Sequence, residues 1–337
     1  MGKTSVLYQL LNSPPTPDHV CVLYNIELVA YVQSVAELLY TMAFEIWDVM
    51  DQQGLDLAEP QHSDYQSLPQ RQFRDFVKEL ERTLRDRSLI LLVDEFGKLM
   101  EMVQRGTLGD DVFDFLRGII QETDKLAFLF TGTYELRRMQ KDYGSILFNL
   151  AKVRRIGYLH PPEARRLITE PAAGLLFYHP LVVDKILRVT ACHPYFIQYI
   201  CDSLVRLAQR EEKNHVDLVD VNLVLQETIR DTTGHIEGSI FANLPEPEKV
   251  ALAGLANVTD DIRFSVPPDI VHDTLESRHL HMSRRELMQA LAHLTERDLI
   301  EEHRLGQQLQ YSFKMGVVRM WLKQSEMLLR LSEELKR

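Results

Sequence analysis

Two short stretches of this chain carry residue types that bind phosphate and divalent cations. The first is Gly2-Lys3-Thr4-Ser5, the order in which a phosphate-binding loop ends. In a full G-x-x-x-x-G-K-[ST] loop, backbone N–H groups and the following helix N-terminus cradle the phosphates. The lysine reaches the β- and γ-phosphates and the hydroxyl holds Mg²⁺. Lys3 and Thr4 stand in that order, and Val6, Leu7, Leu10 and Leu11 at helical spacing supply the helix. The plainer alternative is a solvated terminus. The second stretch is "LILLVDEFGKL", an apolar run ending in Asp94-Glu95. Open α/β sheets bind ligands at the carboxyl ends of their strands. There Asp94 can hold Mg²⁺ while Glu95 orients or deprotonates an attacking water; the same pair could instead simply begin a loop. A third run, "LAFLFTGTYEL", ends in Thr131-Gly132-Thr133, whose hydroxyls could position water near a γ-phosphate or cap a following helix.

These residues need a sheet to bring them together, and the first half of the chain reads as one. "HVCVLYNIEL" is β-branched and aromatic, while "SLILLVDE" and "KLAFLFTGT" are short continuous apolar runs of the kind covered by helices on both faces. Between them lie "SVAELLYTMAFEIWDVM", with Ser34 as its cap, "RQFRDFVKELERTLRD", and a helix near 108–122. A weaker strand is expected at "RRIGYLHP". Strands separated by helices mean a parallel α/β sheet. From Pro161 the chain reads as consecutive helices with no strand candidate. After a turn-rich break at "NLPEPEK", three helices and a hairpin around Gly306 are the makings of a winged helix. The closing "GVVRMWLKQSEMLLRLSEELKR" reads as an amphipathic helix. The expected units are 1–160, an α/β core; 161–244, a helical lid; and 245–337, a winged helix with a C-terminal helix.

The 337 residues carry a net charge of −11, which argues against nucleic acid as a partner of the whole surface. Arg284 and Arg285 begin the candidate recognition helix, but Glu286, Glu296 and Asp298 share it, so a protein-packing winged helix is favoured over a DNA-gripping one. Three cysteines form no C-x-x-C pair and read as buried thiols of a reducing cytosol. The twelve histidines show no ligand spacing with Cys or carboxylates. No apolar run approaches the roughly 18 residues of a membrane span, and no signal peptide is evident, so a cytoplasmic protein is expected. G-x-S-x-G and H-E-x-x-H are absent, which leaves other hydrolytic chemistries without support.

With these motifs in place, the sequence resembles the STAND-type ATPases of the AAA+ branch of P-loop NTPases, in particular the archaeal-ATPase-like group. The resemblance runs over nearly the whole chain and rests on "GKTSVLYQLL", "LILLVDEFGKL", "LAFLFTGTYEL", "EARRLITEPAAGLLFYHP", "ILRVTACHPYFIQYICDSLV" and "YSFKMGVVRMWL". It implies an α/β P-loop NTPase core with its first strand missing, then a helical lid and a C-terminal winged helix. It implies ATP and Mg²⁺ as cofactors: Gly2, Lys3, Thr4 and Ser5 at the phosphates, Thr4 and Asp94 at Mg²⁺, Glu95 activating water and Thr131 as the sensor. His193 and Pro194 would lie close to the nucleotide. Arg154 and Arg155 hold the place of an arginine finger that acts on a neighbouring subunit, or are a surface pair. The family carries Gly-Gly before His-Pro, where this chain has Ala191-Cys192. The expected function is a slowly hydrolysing ATP-dependent switch with protein partners and nucleotide-dependent self-association. The alternatives are an adaptor with a degenerate nucleotide site and a DNA-binding ATPase. We read the chain as an N-terminally truncated form of a longer protein, with a strand and a glycine-rich loop upstream.

Overall fold

The computed structural model describes residues 2–29, 32–132, 152–154, 156–231, 234 and 236–334. The chain divides into two compact units, Met1–Ile156 and Gly157–Arg337.

The first unit is a parallel sheet of three strands in the order β1 (His19–Asn25), β2 (Ser88–Asp94), β3 (Leu126–Phe130). Its helices are α1 (Lys3–Asn12), α2 (Val35–Gln52), α3 (Pro69–Leu84), α4 (Gly97–Gln104) and α5 (Asp111–Glu122). Local chemistry sets their ends. The Ser34 hydroxyl accepts from the Glu37 N–H to start α2, and Pro69 begins α3, where its missing N–H costs nothing. The expected helix near 108–122 is α5, and α4 lies between it and the acidic pair.

Side chains on a strand alternate between faces. Register pairs Val22 with Leu91 and Asn25 with Asp94, so alternate residues of neighbouring strands share a face. Val20, Val22, Tyr24, Leu89, Leu91 and Val93 join the large core with residues of α2 and α3. The other parity, Cys21, Leu23, Ile90, Leu92 and Leu129, meets Leu7 of α1, which is fully buried.

The second unit begins with α6 (Pro161–Thr169), β4 (Phe177–Tyr178), α7 (Pro180–Thr190), α8 (Pro194–Arg210), β5 (His215–Val216) and α9 (Leu218–Asp231). It continues with α10 (Glu246–Val258), α11 (Pro268–Ser277), α12 (Arg284–Glu296), the hairpin β6 (Ile300–Leu305) and β7 (Gln308–Phe313), α13 (Gly316–Gln324) and α14 (Met327–Glu334). Three helices followed by an antiparallel hairpin turning at Gly306, where φ is +64°, make the winged helix. Val266 adds a short bridge to Tyr311 of the hairpin. A single hydrophobic core runs from Ala164 of α6 through Ile200 of α8 to Trp321 of α13. Gly316 is what lets α13 close on α7: a Cβ there would stand 3.2 Å from the Val189 Cα.

Three expectations are corrected. The described residues of "RRIGYLHP" form no strand. The Leu159 N–H donates to the Cys192 carbonyl, the Tyr158 hydroxyl donates to the Asp298 carbonyl, and both side chains pack on the second unit's core. Its apolar residues therefore serve that core instead of the sheet. The stretch read as purely helical contains the two-residue parallel pair β4–β5. The C-terminal stretch is two helices, α13 and α14, broken at Ser325-Glu326, where Glu326 has a left-handed φ of 49°. The break turns Met327, Leu328 and Leu331 back onto the unit's own core. Among the described residues no helix is long and apolar enough to cross a membrane.

Candidate functional site

Strand parity decides which polar residues meet at the carboxyl end of the sheet. Asp94 extends the Ile90–Leu92 parity and Thr131 extends that of Leu129, so both side chains emerge on the face that α1 covers. Leu7 pins α1 on that face through Cys21 and Leu92, which sets the first turn of the helix over the strand tips. The Thr4 hydroxyl donates to Asp94 Oδ2 at 2.8 Å, and the Thr131 hydroxyl donates to Asp94 Oδ1. The same Oδ1 accepts from the Glu95 N–H at 3.0 Å. Asp94 is only 1 % exposed, so its carboxylate is compensated by these three donors.

Glu95 adopts a left-handed backbone with φ of 52°, an uncommon state for a residue with a side chain. Its neighbours fix it there: the Phe96 N–H donates to the Thr131 carbonyl at 2.8 Å, and the Lys98 N–H donates to the Glu95 carbonyl at 2.9 Å. The bend carries the Glu95 carboxylate away from the sheet to within 3.6 Å of the Lys3 ammonium. Strained backbone of this kind clusters at functional sites. Gly2 caps α1 with φ of 65°, the left-handed geometry that glycine adopts at no steric cost. Ser5 follows in the exposed first turn.

The structure thus brings Lys3, Thr4, Asp94, Glu95 and Thr131 into one cluster, with Gly2 and Ser5 adjoining. His193 and Pro194 lie in the second unit as the N-cap and first residue of α8. His193 is buried, with the rings of Tyr158 and Phe196 at centroid distances of 5.5 and 4.9 Å. Ala191 and Cys192, where the resembled family has glycines, both have left-handed φ, 49° and 62°. Arg154 is exposed in irregular backbone, and Arg155 and Thr133 lie outside the described residues. The sequence reading passed over Asn25. It ends β1 in register with Asp94, on the α1-facing parity, and its side-chain Oδ1 accepts from the Glu27 N–H at 2.9 Å. Its signal was there: a polar residue closing an apolar run, one strand over from the acidic pair.

Chemically, a buried carboxylate beside a hydroxyl is a hard-oxygen donor pair that suits Mg²⁺ completed by phosphate oxygens and water. The described residues hold no group of three or more His, Cys, Asp or Glu able to cage a metal alone. Lysine beside them adds a positive charge for phosphate, and Glu95 is a carboxylate at the mouth of the site.

No family model matches the sequence, and no curated protein matches it. Solved structures do. The chain is similar to the ORC2 protein of Aeropyrum pernix, solved in ADPNP–ADP complexes, at 13 % identity over 99 % of this chain and 85 % of that one, with a TM-score of 0.59. It also matches Cdc6p from Pyrobaculum aerophilum at 16 % identity over 100 % of this chain and 86 % of that one, with a TM-score of 0.44. The Thermotoga maritima RuvB Holliday junction branch migration motor matches at 11 % identity over 93 % and 80 %, with a TM-score of 0.41. Of these, the ORC2 likeness carries the assignment. The fold is the Orc/Cdc6-like AAA+ fold: a parallel sheet with flanking helices and a C-terminal winged helix.

Proposed function

We propose that the chain is a nucleotide-controlled switch that binds ATP with Mg²⁺ at the carboxyl end of its sheet and hydrolyses it slowly. The observation that carries this reading is the convergence of the Thr4 and Thr131 hydroxyls on the buried Asp94, with Lys3 beside Glu95. Thr4 and Asp94 would hold Mg²⁺, which supplies charge neutralisation across the phosphate oxygens. Lys3 would leave Glu95 for the phosphates. The Glu95 carboxylate would then be free to orient a water and take its proton, with Thr131 fixing Asp94 and sensing the γ-phosphate. Such sites act chiefly by positioning and electrostatics. The ORC2 structure was solved with ADPNP and ADP, which agrees with this choice of ligand.

The phosphate-binding amides of a complete loop belong to a glycine-rich turn. The outer edge of β3 has no strand partner among the described residues, and Ala127 to Phe130 on it are exposed or half-buried. Within the second unit the lid helices and winged helix share one core, so they would move as one body. Arg154, exposed, retains its proposed part as a finger, whereas His193 is buried among Tyr158 and Phe196 of its own unit.

The DNA-binding alternative ranks below this one. Arg284 is held by Asp269 at 2.5 Å, and Glu286 is committed to a capping box with Ser283. The test of the switch is Glu95→Gln. It should keep Mg-ATP binding while lowering single-turnover hydrolysis by roughly 10²-fold or more, the usual range for a general base. Unchanged hydrolysis would remove Glu95 from the chemistry.

A further inference from the structure

The second unit contains a cavity of about 400 Å³ that the nucleotide reading does not use. Its walls come from α7, the first residue of α9, the loop after α10 and the first turns of α13. Leu181, Val189, Leu218, Ile262 and Met320 make them largely apolar. Set into these walls are Lys185 and Arg188 of α7, Arg319 of α13, and Asp261.

The charges do not balance locally. Asp261 is engaged by Arg263, whose Nε and Nη2 donate to its two oxygens at 3.0 and 2.9 Å. Lys185 donates to the neutral Asn222 side chain. The Arg188 guanidinium has no carboxylate within ion-pairing distance among the described residues. Arg319 spends Nη1 on the Thr259 carbonyl at 2.9 Å, while its buried Nε has no acceptor. Burial, then the charge of Arg188, holds the Lys185 ammonium below the usual lysine range. Burial lowers Arg319 against the opposing pull of Asp261 and Asp260, which are themselves paired with Arg263 and Lys323. Three cations from two helices therefore share one partly desolvated space, and cations so placed favour an anion between them. Guanidinium groups match the oxygens of phosphate, and apolar walls favour a ligand with an apolar body.

We propose that this cavity binds an organic phosphate monoester. Lys185, Arg188 and Arg319 hold the dianionic head, and Leu181, Ile262 and Met320 receive the apolar body. Because the cations come from the lid segment and from the helix after the hairpin, the ligand ties α7 to α13. The site lies in a different unit from Lys3 and Asp94, so it stands independently of ATP binding.

The experiment is calorimetric titration of the full chain with phenyl phosphate, with inorganic phosphate as the head alone. Phenyl phosphate should saturate the chain at one equivalent and bind roughly tenfold or more tightly than inorganic phosphate, from burial of the ring. Arg188→Gln and Arg319→Gln should each weaken phenyl phosphate by about tenfold or more, the loss of a charge-assisted contact. Arg188 is exposed and should be replaced without moving the unfolding midpoint of the ligand-free chain. Lys3→Ala should leave the titration unchanged. No saturation by ~10 mM, a range weaker than ordinary specific binding, would overturn the proposal. Equal binding by Arg188→Gln and Arg319→Gln would overturn it too, as would loss of binding in Lys3→Ala with retention in the arginine variants.

Discussion

Replacing Asp94 with asparagine separates the two jobs assigned to this residue. The carboxylate accepts from the Thr4 hydroxyl, the Thr131 hydroxyl and the Glu95 N–H in a nearly closed environment. Asparagine has the same shape and keeps one oxygen, and its NH₂ can donate to a threonine hydroxyl that rotates to accept. The fold should survive, but charge-assisted hydrogen bonds worth about 1.5–3 kcal/mol become neutral ones of about 1 kcal/mol. A net loss of roughly 1–2 kcal/mol is expected, read as a midpoint fall of about 2–4 °C per kcal/mol for a unit of this size. The second job is Mg²⁺. At a Mg-ATP concentration of about 100 times its dissociation constant the unmodified chain should gain roughly 2.7 kcal/mol. If the variant binds about tenfold to a hundredfold more weakly, the gain at the same concentration falls to roughly 0.4–1.4 kcal/mol. Differential scanning fluorimetry with and without Mg-ATP reads both numbers. A midpoint that falls without ligand while the Mg-ATP gain stays whole would refute the metal assignment and leave Asp94 a structural latch.

Three further outcomes follow from the packing and the backbone. Gly316→Ala places a methyl 3.2–3.5 Å from Val189 backbone and Cβ atoms and should cost about 1–3 kcal/mol in urea unfolding, as overpacking does. Ala191→Gly relieves a left-handed alanine worth about 1–2 kcal/mol, less the 0.5–1 kcal/mol of extra glycine freedom, so stability should rise by roughly 0.5–1 kcal/mol. Cys21, Cys192 and Cys201 have thiols raised by burial, Cys201 to about 12, so all three should resist alkylation at pH 8 until the chain is unfolded. A raised thiol favours the fold fully below its unfolded value of about 8.5, so stability should fall as pH climbs from there towards about 12.

Much of the α/β unit was legible because its strands are continuous apolar runs ended by polar residues. Those ends carry the candidate site: Asp94 and Thr131 are the next residues of the α1-facing parity, and the Leu7 stripe tells where α1 must lie. What sequence could not show was three-dimensional partnership. Tyr158 and Leu159 look like strand residues, yet their apolar surface is claimed by another core. The Ser325-Glu326 break falls inside an unbroken amphipathic pattern, because tertiary burial of Met327 and Leu331 outweighs local propensity. The left-handed turn at Glu95 has no glycine to announce it. Asn25 gains meaning only from its register with Asp94. Ala191 and Cys192 likewise hold a left-handed backbone with no glycine to announce it, a strained state for residues with side chains.

The central claim is that the Lys3–Thr4–Asp94–Glu95 cluster binds a nucleoside triphosphate. Its most direct test is an equilibrium titration of the chain with fluorescent Mg-ATP, compared with Lys3→Ala. The account predicts saturable binding that Lys3→Ala weakens by roughly tenfold or more, the loss of one charge-assisted phosphate contact. Equal binding by the two chains would place the nucleotide elsewhere and contradict the account.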